Sequence, residues 1–260
     1  MHRISWFFVV MALLPACKRG ASSAGEAATS EPERSPTVLL FPSAGNKDDG
    51  VWARGCARLM ARQIDRAAGR DTAVVALVVG VKQTGVGWVL PSAPVQLDEA
   101  RQVARKYGAP LLARVHLHSP SSDYENILMD VFDADKLETR FSRVYPWNPH
   151  HDLPPLRSAT IDLAHAAGIA VDDQALLDDA PFLQTSNAAA LEALLGYLDN
   201  LWLGVAAQGR PLGPSYRPPH ELLDAALTAD PGFGTARALK EAGLAARFDR
   251  VRVVERMLRE

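Results

Sequence analysis

The sequence lacks several features on which large classes of protein depend. It contains only two cysteines among 260 residues, which excludes a disulfide framework. Its formal charge is only −2, so a dedicated nucleic-acid binder is not expected. Neither a Gly-Lys-Ser/Thr phosphate loop nor a Gly-x-Ser-x-Gly nucleophile elbow occurs. The composition, with 48% hydrophobic and 22% charged residues, is nevertheless that of a globular protein with one or two domains.

One long apolar run is present, and it lies at the N-terminus. A positively charged start, Met1 to Arg3, is followed by the mainly apolar stretch Ile4 to Leu14. This stretch is shorter than the ~20 residues that a membrane-spanning helix needs. A short charged segment followed by a short apolar one is typical of a secretory signal peptide. We therefore predict that residues 1–16 are a targeting segment.

The end of that segment, Leu14-Pro15-Ala16-Cys17, resembles the lipobox of bacterial lipoproteins. The resemblance implies cleavage before Cys17 and attachment of fatty-acyl chains such as palmitate to this residue, which would anchor the chain to a membrane. Lys18, by similarity to enteric lipoproteins, favours the outer membrane over the inner one. The alternatives are an ordinary cleaved signal in which Cys17 is incidental, or a buried apolar segment.

The next segment predicts a flexible tether. Residues 18–36 are rich in Ala, Ser, Gly, Glu and Pro and contain no large apolar side chain, so they cannot bury enough surface to offset their ordering entropy. We expect four parts in the chain: a signal peptide (1–16), the lipidated cysteine with its tether (17–36), an α/β domain (37–180) and an α-helical region (181–260).

Strand and helix patterns alternate through the α/β domain. Runs of β-branched and apolar residues predict strands, and apolar positions spaced by three or four residues predict helices. The acidic turn Asp133 to Lys136 predicts a hairpin between the two strands that flank it. The predicted strands are 38–41, 73–79, 88–90, 111–118, 124–132 and 137–147, with a loop or hairpin over 80–87, and the predicted helices are 51–68, 98–107 and 158–167.

The first helix carries the sharpest surface feature of the sequence. Four arginines, at positions 54, 58, 62 and 66, follow one another at a spacing of four residues and so share one helix face. Arg54, Arg58, Arg62 and Arg66 form a candidate interaction surface for anionic lipid, lipopolysaccharide or an acidic partner. The alternative is an ordinary solvated helix face. Cys56 lies on the apolar face of the same helix and is expected to be a buried thiol.

Other residues that could carry chemistry form no complete set. His116 and His118 share one face of a predicted strand, and Asp130 could lie opposite them. A metal site needs three or four converging ligands, which this spacing does not specify. Asp133 and Asp135 suggest a calcium loop but lack its spacing, so a turn is favoured. His150 and His151 fall in a proline-rich loop. We therefore predict no metal, no cofactor and no catalytic residues.

Beyond residue 187, apolar residues recur at the spacing that predicts helices. One apolar helix is predicted over 190–202, and a Gly/Pro-rich loop follows at 208–219. Three further helices are predicted at 221–229, 234–247 and 249–258.

Two resemblances follow from these patterns. The opening strand VLLFPSAGN, the segment DEARQVARKYGAPLLARVHL and the hairpin MDVFDADKLETRFSRVYPW together resemble the TolB amino-terminal-like α/β domain found in FlgO-like lipoproteins. The tail resembles degenerate tetratricopeptide repeats at Leu195-Gly196, Leu223, Ala226, Pro231 and Phe233. The alternative is a plain helical hairpin. The implied fold class is α/β (α+β): a mixed β-sheet with helices packed on it, followed by a tetratricopeptide-like helical segment.

From these features we predict three possible functions, in order of preference. The first is a non-enzymatic cell-envelope lipoprotein that acts as a protein-interaction or assembly module on the periplasmic side of the outer membrane. Its expected partners are the membrane, through the lipid anchor, and an envelope protein, with no nucleic acid. The second is an accessory sensory domain that binds a small ligand in a cleft between the sheet and the helices. The third is a metal-dependent envelope hydrolase that uses His116, His118 and a carboxylate.

Overall fold

A mixed seven-stranded sheet with helices packed on it forms the body of the protein in the computed structural model. The structure describes residues 35–46, 48–70, 72–121, 124–147, 154–178, 180–242 and 254–259. Six strands form the order β3-β2-β1-β4-β5-β6, and the seventh pairs with β2. The strands are β1 (Val38–Ala44), β2 (Ala73–Lys82), β3 (Gly85–Trp88), β4 (Leu111–Ser121), β5 (Tyr124–Asp133), β6 (Thr139–Trp147) and β7 (Val254–Arg259). The predicted α/β class is confirmed.

Helices connect and cover these strands and then continue beyond them. They are α1 (Gly50–Ala68), α2 (Leu97–Lys106), α3 (Pro154–Ala166), α4 (Asp173–Leu177), α5 (Pro181–Gln184), α6 (Ala188–Ala207), α7 (Pro219–Ala229) and α8 (Gly234–Ala242). No helix within the described ranges combines the length and the hydropathy needed to cross a membrane. The predicted signal peptide, Cys17 and nearly all of the predicted tether lie outside the described residues.

The centre of the sheet is parallel and fully buried. β1 pairs in parallel with β2 on one side and with β4 on the other, and all seven of its residues are buried. A strand covered on both faces needs a continuous apolar run rather than an alternating one, which is what its sequence VLLFPSA largely provides. β4, β5 and β6 then continue the sheet as antiparallel neighbours, so the predicted hairpin between β5 and β6 is confirmed.

The two faces of the sheet are covered unequally. On one face, α1 and α3 pack on the sheet, and the largest apolar cluster joins them to residues such as Leu40, Val115 and Met129. On the other face, the shorter helix α2 packs on a smaller cluster that includes Leu39, Phe41 and Leu112. Successive residues of β4 accordingly belong to opposite faces, as Leu111 and Leu112 do.

The helical region packs on the sheet's helices rather than standing apart. α6 lies against α1 on one side and α7 on another, and Leu194 and Leu195 belong to the same apolar cluster as the buried face of α1. The approach at Gly55 is close: a Cβ atom there would lie 2.6 Å from Leu195 Cδ1. Asn187 begins α6, since its side chain accepts a hydrogen bond from the Ala190 N–H.

Several boundaries differ from the sequence predictions; for example, β3 lies at Gly85–Trp88 rather than at 88–90, and α3 begins at Pro154 rather than at residue 158. The helix predicted over 249–258 is wrong, because residues 254–259 form β7 beside Ala76–Val81 of β2. Beyond Leu40 and Val75, the pairing of β1 with β2 stops, which leaves that edge of β2 for another strand. The helix predicted over 234–247 is described only as far as Ala242. The strand predicted from Leu137 begins at Thr139, because Leu137 takes a turn conformation with φ of 59°.

Candidate functional site

One side of the β4-β5-β6 sheet forms a surface that we call the open face. Its residues lie in cross-strand rows: Arg114, Asp130 and Ser142 in the first, and His116, Leu128 and Val144 in the second. Val144 is 53% exposed. The opposite side of the same strands differs, since Ile127, Met129 and Val131 are 0% exposed there. A third row adds His118, Asn126 and Pro146.

The first row is a polar ladder. Arg114 Nη2 donates to Asp130 Oδ2 at 2.8 Å, and the Ser142 hydroxyl donates to Asp130 Oδ1 at 2.7 Å. Asp130 therefore lies in register with Arg114, whereas His116 lies opposite Leu128. The carboxylate that could have completed a metal site with the histidines is occupied by an arginine. Among the described residues, no group of three or more His, Cys, Asp or Glu side chains could hold a metal ion.

The second row connects the open face to the centre of the sheet. The Ser43 hydroxyl and His116 Nδ1 share a hydrogen bond of 2.8 Å between β1 and β4. Burial lowers the pKa of His116, and the neighbouring His118 and Arg114 lower it further, while the contact with Ser43 opposes this. His118 is exposed, so the two histidines that share this face have different environments.

The acidic turn between β5 and β6 uses its carboxylates internally. Asp133 Oδ1 accepts hydrogen bonds from the backbone N–H groups of Asp135 and Lys136, and Oδ2 accepts one from Arg140 Nη2 at 2.8 Å. These contacts lower the pKa of Asp133 to about 2. The predicted turn is thus present. His150 and His151 lie outside the described residues.

The four arginines of α1 do not form one surface. Arg54 and Arg58 are only 7% and 4% exposed, so the prediction that they contribute to an interaction surface is wrong. α6 covers this part of α1 and supplies a counter-charge. Arg62 is half-buried, and Arg66 is exposed and donates to the Asp178 carbonyl at 2.7 Å. An interaction role for Arg62 and Arg66 stays a prediction.

Three buried charged residues, Arg54, Arg58 and Asp199, and the half-buried Trp88 form a cluster that we call the arginine cluster. Arg54 Nε donates to Asp199 Oδ2 at 2.7 Å, and Arg58 Nη1 donates to Asp199 Oδ1. Both guanidinium Cζ atoms lie 5.2 Å from the ring centroid of Trp88, within cation–π range. Burial lowers the pKa of Arg58 to about 10, although Asp199 opposes that shift. Sequence reasoning missed Asp199; its signal was an acid between the apolar residues Leu198 and Leu201 of α6.

Cys56 also lies on α1 and is 0% exposed. The apolar stripe of the helix had predicted its burial, and the largest apolar cluster includes it.

A pocket of about 330 Å³ lies where β1 and β2 diverge. Phe41 and Val78 of the two strands form part of its lining, and Pro91, Val95 and Val103 contribute from the segment before α2 and from α2 itself. Most of these side chains are apolar, and Glu99 supplies an acid at the wall. The pocket thus combines apolar lining with one charged group, as small-molecule sites do.

Comparisons with known proteins give weak similarities. No protein-family model matches the sequence, and no curated protein matches it. TolB from Acinetobacter baumannii is 17% identical over 56% of this chain and 29% of TolB, with a TM-score of 0.30. The chain thus spans less than a third of TolB.

Two other solved structures show similar levels of likeness. PelC from Paraburkholderia phytofirmans, solved as a dodecamer, is 13% identical over 54% of this chain and 90% of PelC, with a TM-score of 0.30. A Xanthomonas campestris protein of the DUF330 family is 14% identical over 69% of this chain and 92% of that one, with a TM-score of 0.18. TM-scores this low carry no argument about the function of this chain.

Proposed function

We propose that this chain is a cell-envelope lipoprotein, anchored through acyl chains on Cys17. Its α/β domain acts as a non-enzymatic protein-interaction or assembly module on the periplasmic side of the outer membrane. The sequence around Cys17 supports the anchor, and Lys18 supports the outer membrane. The tether of residues 18–36 has an expected root-mean-square reach of about 25 Å, which keeps the domain close to the membrane.

The observation that carries the interaction role is the unequal burial of the two sides of β5 and β6. On β5 the side that carries Ile127, Met129 and Val131 is buried, whereas the open face presents Val144 of β6 at 53% exposure next to the half-buried Leu128. Polar residues such as Asp130 and Ser142 border this apolar pair. An apolar centre with a polar border is the usual composition of a protein interface. The partner we propose is an envelope protein that covers this pair.

The helical region packs on α1, so its repeat-like positions stabilise the fold and do not themselves contact a partner. Leu195, Leu223 and Ala226, three of the positions that resemble tetratricopeptide repeats, are buried where α6 and α7 pack together. Arg62 and Arg66 on α1 add positive charge that an acidic group on a partner or a lipid would complement.

The anchor predicts a change in fractionation. A Cys17→Ser variant lacks the thiol that receives the diacylglyceryl group, so we expect it to remain unacylated. It should then either leave the membrane fraction or accumulate as uncleaved precursor. Labelling cells with a radioactive fatty acid and separating the membranes measures this. Cys56→Ser serves as the control, and it should keep the label because Cys56 is buried in the domain. Labelling that persists in Cys17→Ser would refute the anchor.

The open face predicts a position-specific crosslink. A photo-crosslinking amino acid at Val144 should yield one discrete adduct with an envelope protein in intact cells. Val205, which is 43% exposed on α6, is the matched control and should yield no such adduct. Leu128→Lys places a charge in the same row as Val144 and should reduce the adduct at least several-fold. Equal adducts at both positions, or an adduct that survives Leu128→Lys, would contradict an interface on the open face.

A second candidate function, an accessory domain that binds a small ligand, is favoured by the pocket beside β1 and β2. We expect that a thermal-shift screen of apolar compounds that carry no carboxyl group will find a ligand that raises the midpoint temperature of unfolding. Val78→Phe fills part of the pocket and should abolish that rise, whereas Val205→Phe on the exposed surface of α6 should preserve it. A rise that is unchanged in Val78→Phe places the ligand elsewhere and rejects this candidate.

A further inference from the structure

The arginine cluster holds more positive than negative charge. Two guanidinium groups and one carboxylate lie together, with side-chain exposures of 8% for Arg54, 5% for Arg58 and 3% for Asp199. One positive charge therefore has no counter-charge among the described residues. Isolated charges buried away from water are strongly unfavourable unless they are paired. The arginine cluster therefore carries a net positive charge, which one further negative charge would balance.

The hydrogen bonds of Arg58 show where that charge would bind. Arg54 uses Nε and Nη2 on Asp199 Oδ2, and Arg58 uses Nη1 on Oδ1. Nε and Nη2 of Arg58 remain buried, and no described group accepts a hydrogen bond from either. These two nitrogens form one edge of the guanidinium, the fork that binds the two oxygens of a carboxylate side by side. A complete bidentate donor is thus buried without its acceptor.

Trp88 adds a hydrogen-bond donor at the same place. Its ring lies against both guanidinium groups, and its Nε1 is likewise buried without a described acceptor. The rest of the Trp88 side chain is only half-buried, at the end of the edge strand β3. A small ion would therefore have to displace Trp88, the only half-buried member of the arginine cluster, to reach Arg58.

We propose that the arginine cluster is a binding site for a small monovalent carboxylate, of the size of formate or acetate, held by the Nε–Nη2 fork of Arg58. A single negative charge balances the cluster, whereas a phosphate dianion would leave it negative. Two oxygens in one plane match the fork, whereas a spherical halide matches one donor at a time. This site is independent of the open face and of the anchor.

NMR of the full-length wild-type protein in detergent tests the site directly. Titration with sodium formate, against sodium chloride at equal ionic strength, should shift the Arg58 Nε–Hε cross-peak in a saturable way. The Arg54 cross-peak should change less, because its Nε already donates to Asp199. This measurement uses the wild-type protein, and a variant is needed only to assign the Arg58 cross-peak. An Arg58 cross-peak that does not respond to formate more than to chloride overturns the proposal.

Thermal unfolding gives a second, independent readout. A hundredfold excess of formate over its dissociation constant should raise the midpoint by about 5–10 °C relative to chloride. Arg58→Lys keeps the charge but removes the fork, so the formate-specific rise should disappear. Arg70→Met, at an exposed arginine just after α1, should keep it. A rise that is equal in wild type and Arg58→Lys would show that formate acts elsewhere and would reject the site.

Discussion

Replacement of Asp199 by Ala is expected to lower the free energy of unfolding by about 3–5 kcal/mol. Asp199 is 2% exposed and accepts hydrogen bonds from both Arg54 and Arg58. Without it, two guanidinium groups remain buried and repel each other, and α6 loses its polar contact with α1. Chemical denaturation followed by circular dichroism measures the change.

Two further variants isolate the cause of that loss. Glu192 lies at an exposed position on the same helix, so the Glu192→Ala variant should change the free energy of unfolding by no more than about 0.5 kcal/mol. The triple variant Arg54→Met, Arg58→Met and Asp199→Leu removes every charge of the cluster, and should recover most of the lost stability because no unpaired charge remains buried. If the Asp199→Ala variant is as stable as the wild type, the ion pairs do not hold α6 on α1.

Replacement of Trp147 by Ala is expected to cost a similar amount, about 3–5 kcal/mol. Trp147 is 2% exposed at the end of β6, and its ring meets that of Trp52 on α1 edge to face, with centroids 5.2 Å apart. Ala would remove this aromatic contact and leave a cavity between the helix and the edge of the sheet. Denaturant titration of the variant gives the free energy directly.

The Trp147→Phe variant separates the contribution of the aromatic ring from that of the indole N–H group. It keeps an aromatic ring and removes the indole Nε1, which is buried without a described acceptor, so we expect a loss of only about 1–2 kcal/mol. Val144→Ala on the same strand is the surface control and should change stability by no more than about 0.5 kcal/mol. A Trp147→Ala variant that unfolds like this control would show that the aromatic pair adds little.

Elements whose causes are local could be predicted from the sequence. The apolar stripe of α1 predicted residues 51–68, and the helix begins at Gly50 and ends at Ala68 before Gly69, whose φ of 64° suits glycine. The turn at Asp133 was predicted because its carboxylate binds N–H groups two and three residues ahead. These interactions join residues close in the chain, so the residue order contains them.

Elements fixed by distant contacts could not be predicted in the same way. The helical pattern of the last residues suggested a helix, but β7 forms because β1 leaves an edge of β2 open nearly two hundred residues earlier in the chain. Asp130 could have faced the histidines, but the register of β4 with β5 places it beside Arg114. Pairing between strands depends on registers that a single sequence does not state.

The sequence by itself determined the α/β class, the main helices and strands, the absence of a disulfide framework and the expectation of a lipid anchor at Cys17. Only the tertiary structure decided what the arginines of α1 do. Their spacing of four residues places them on one helix face, but spacing cannot tell which part of that face another helix will cover. Asp199, 145 residues away from Arg54, is brought against two of them by the packing of α6, and that contact converts half of the predicted surface into a buried charged cluster.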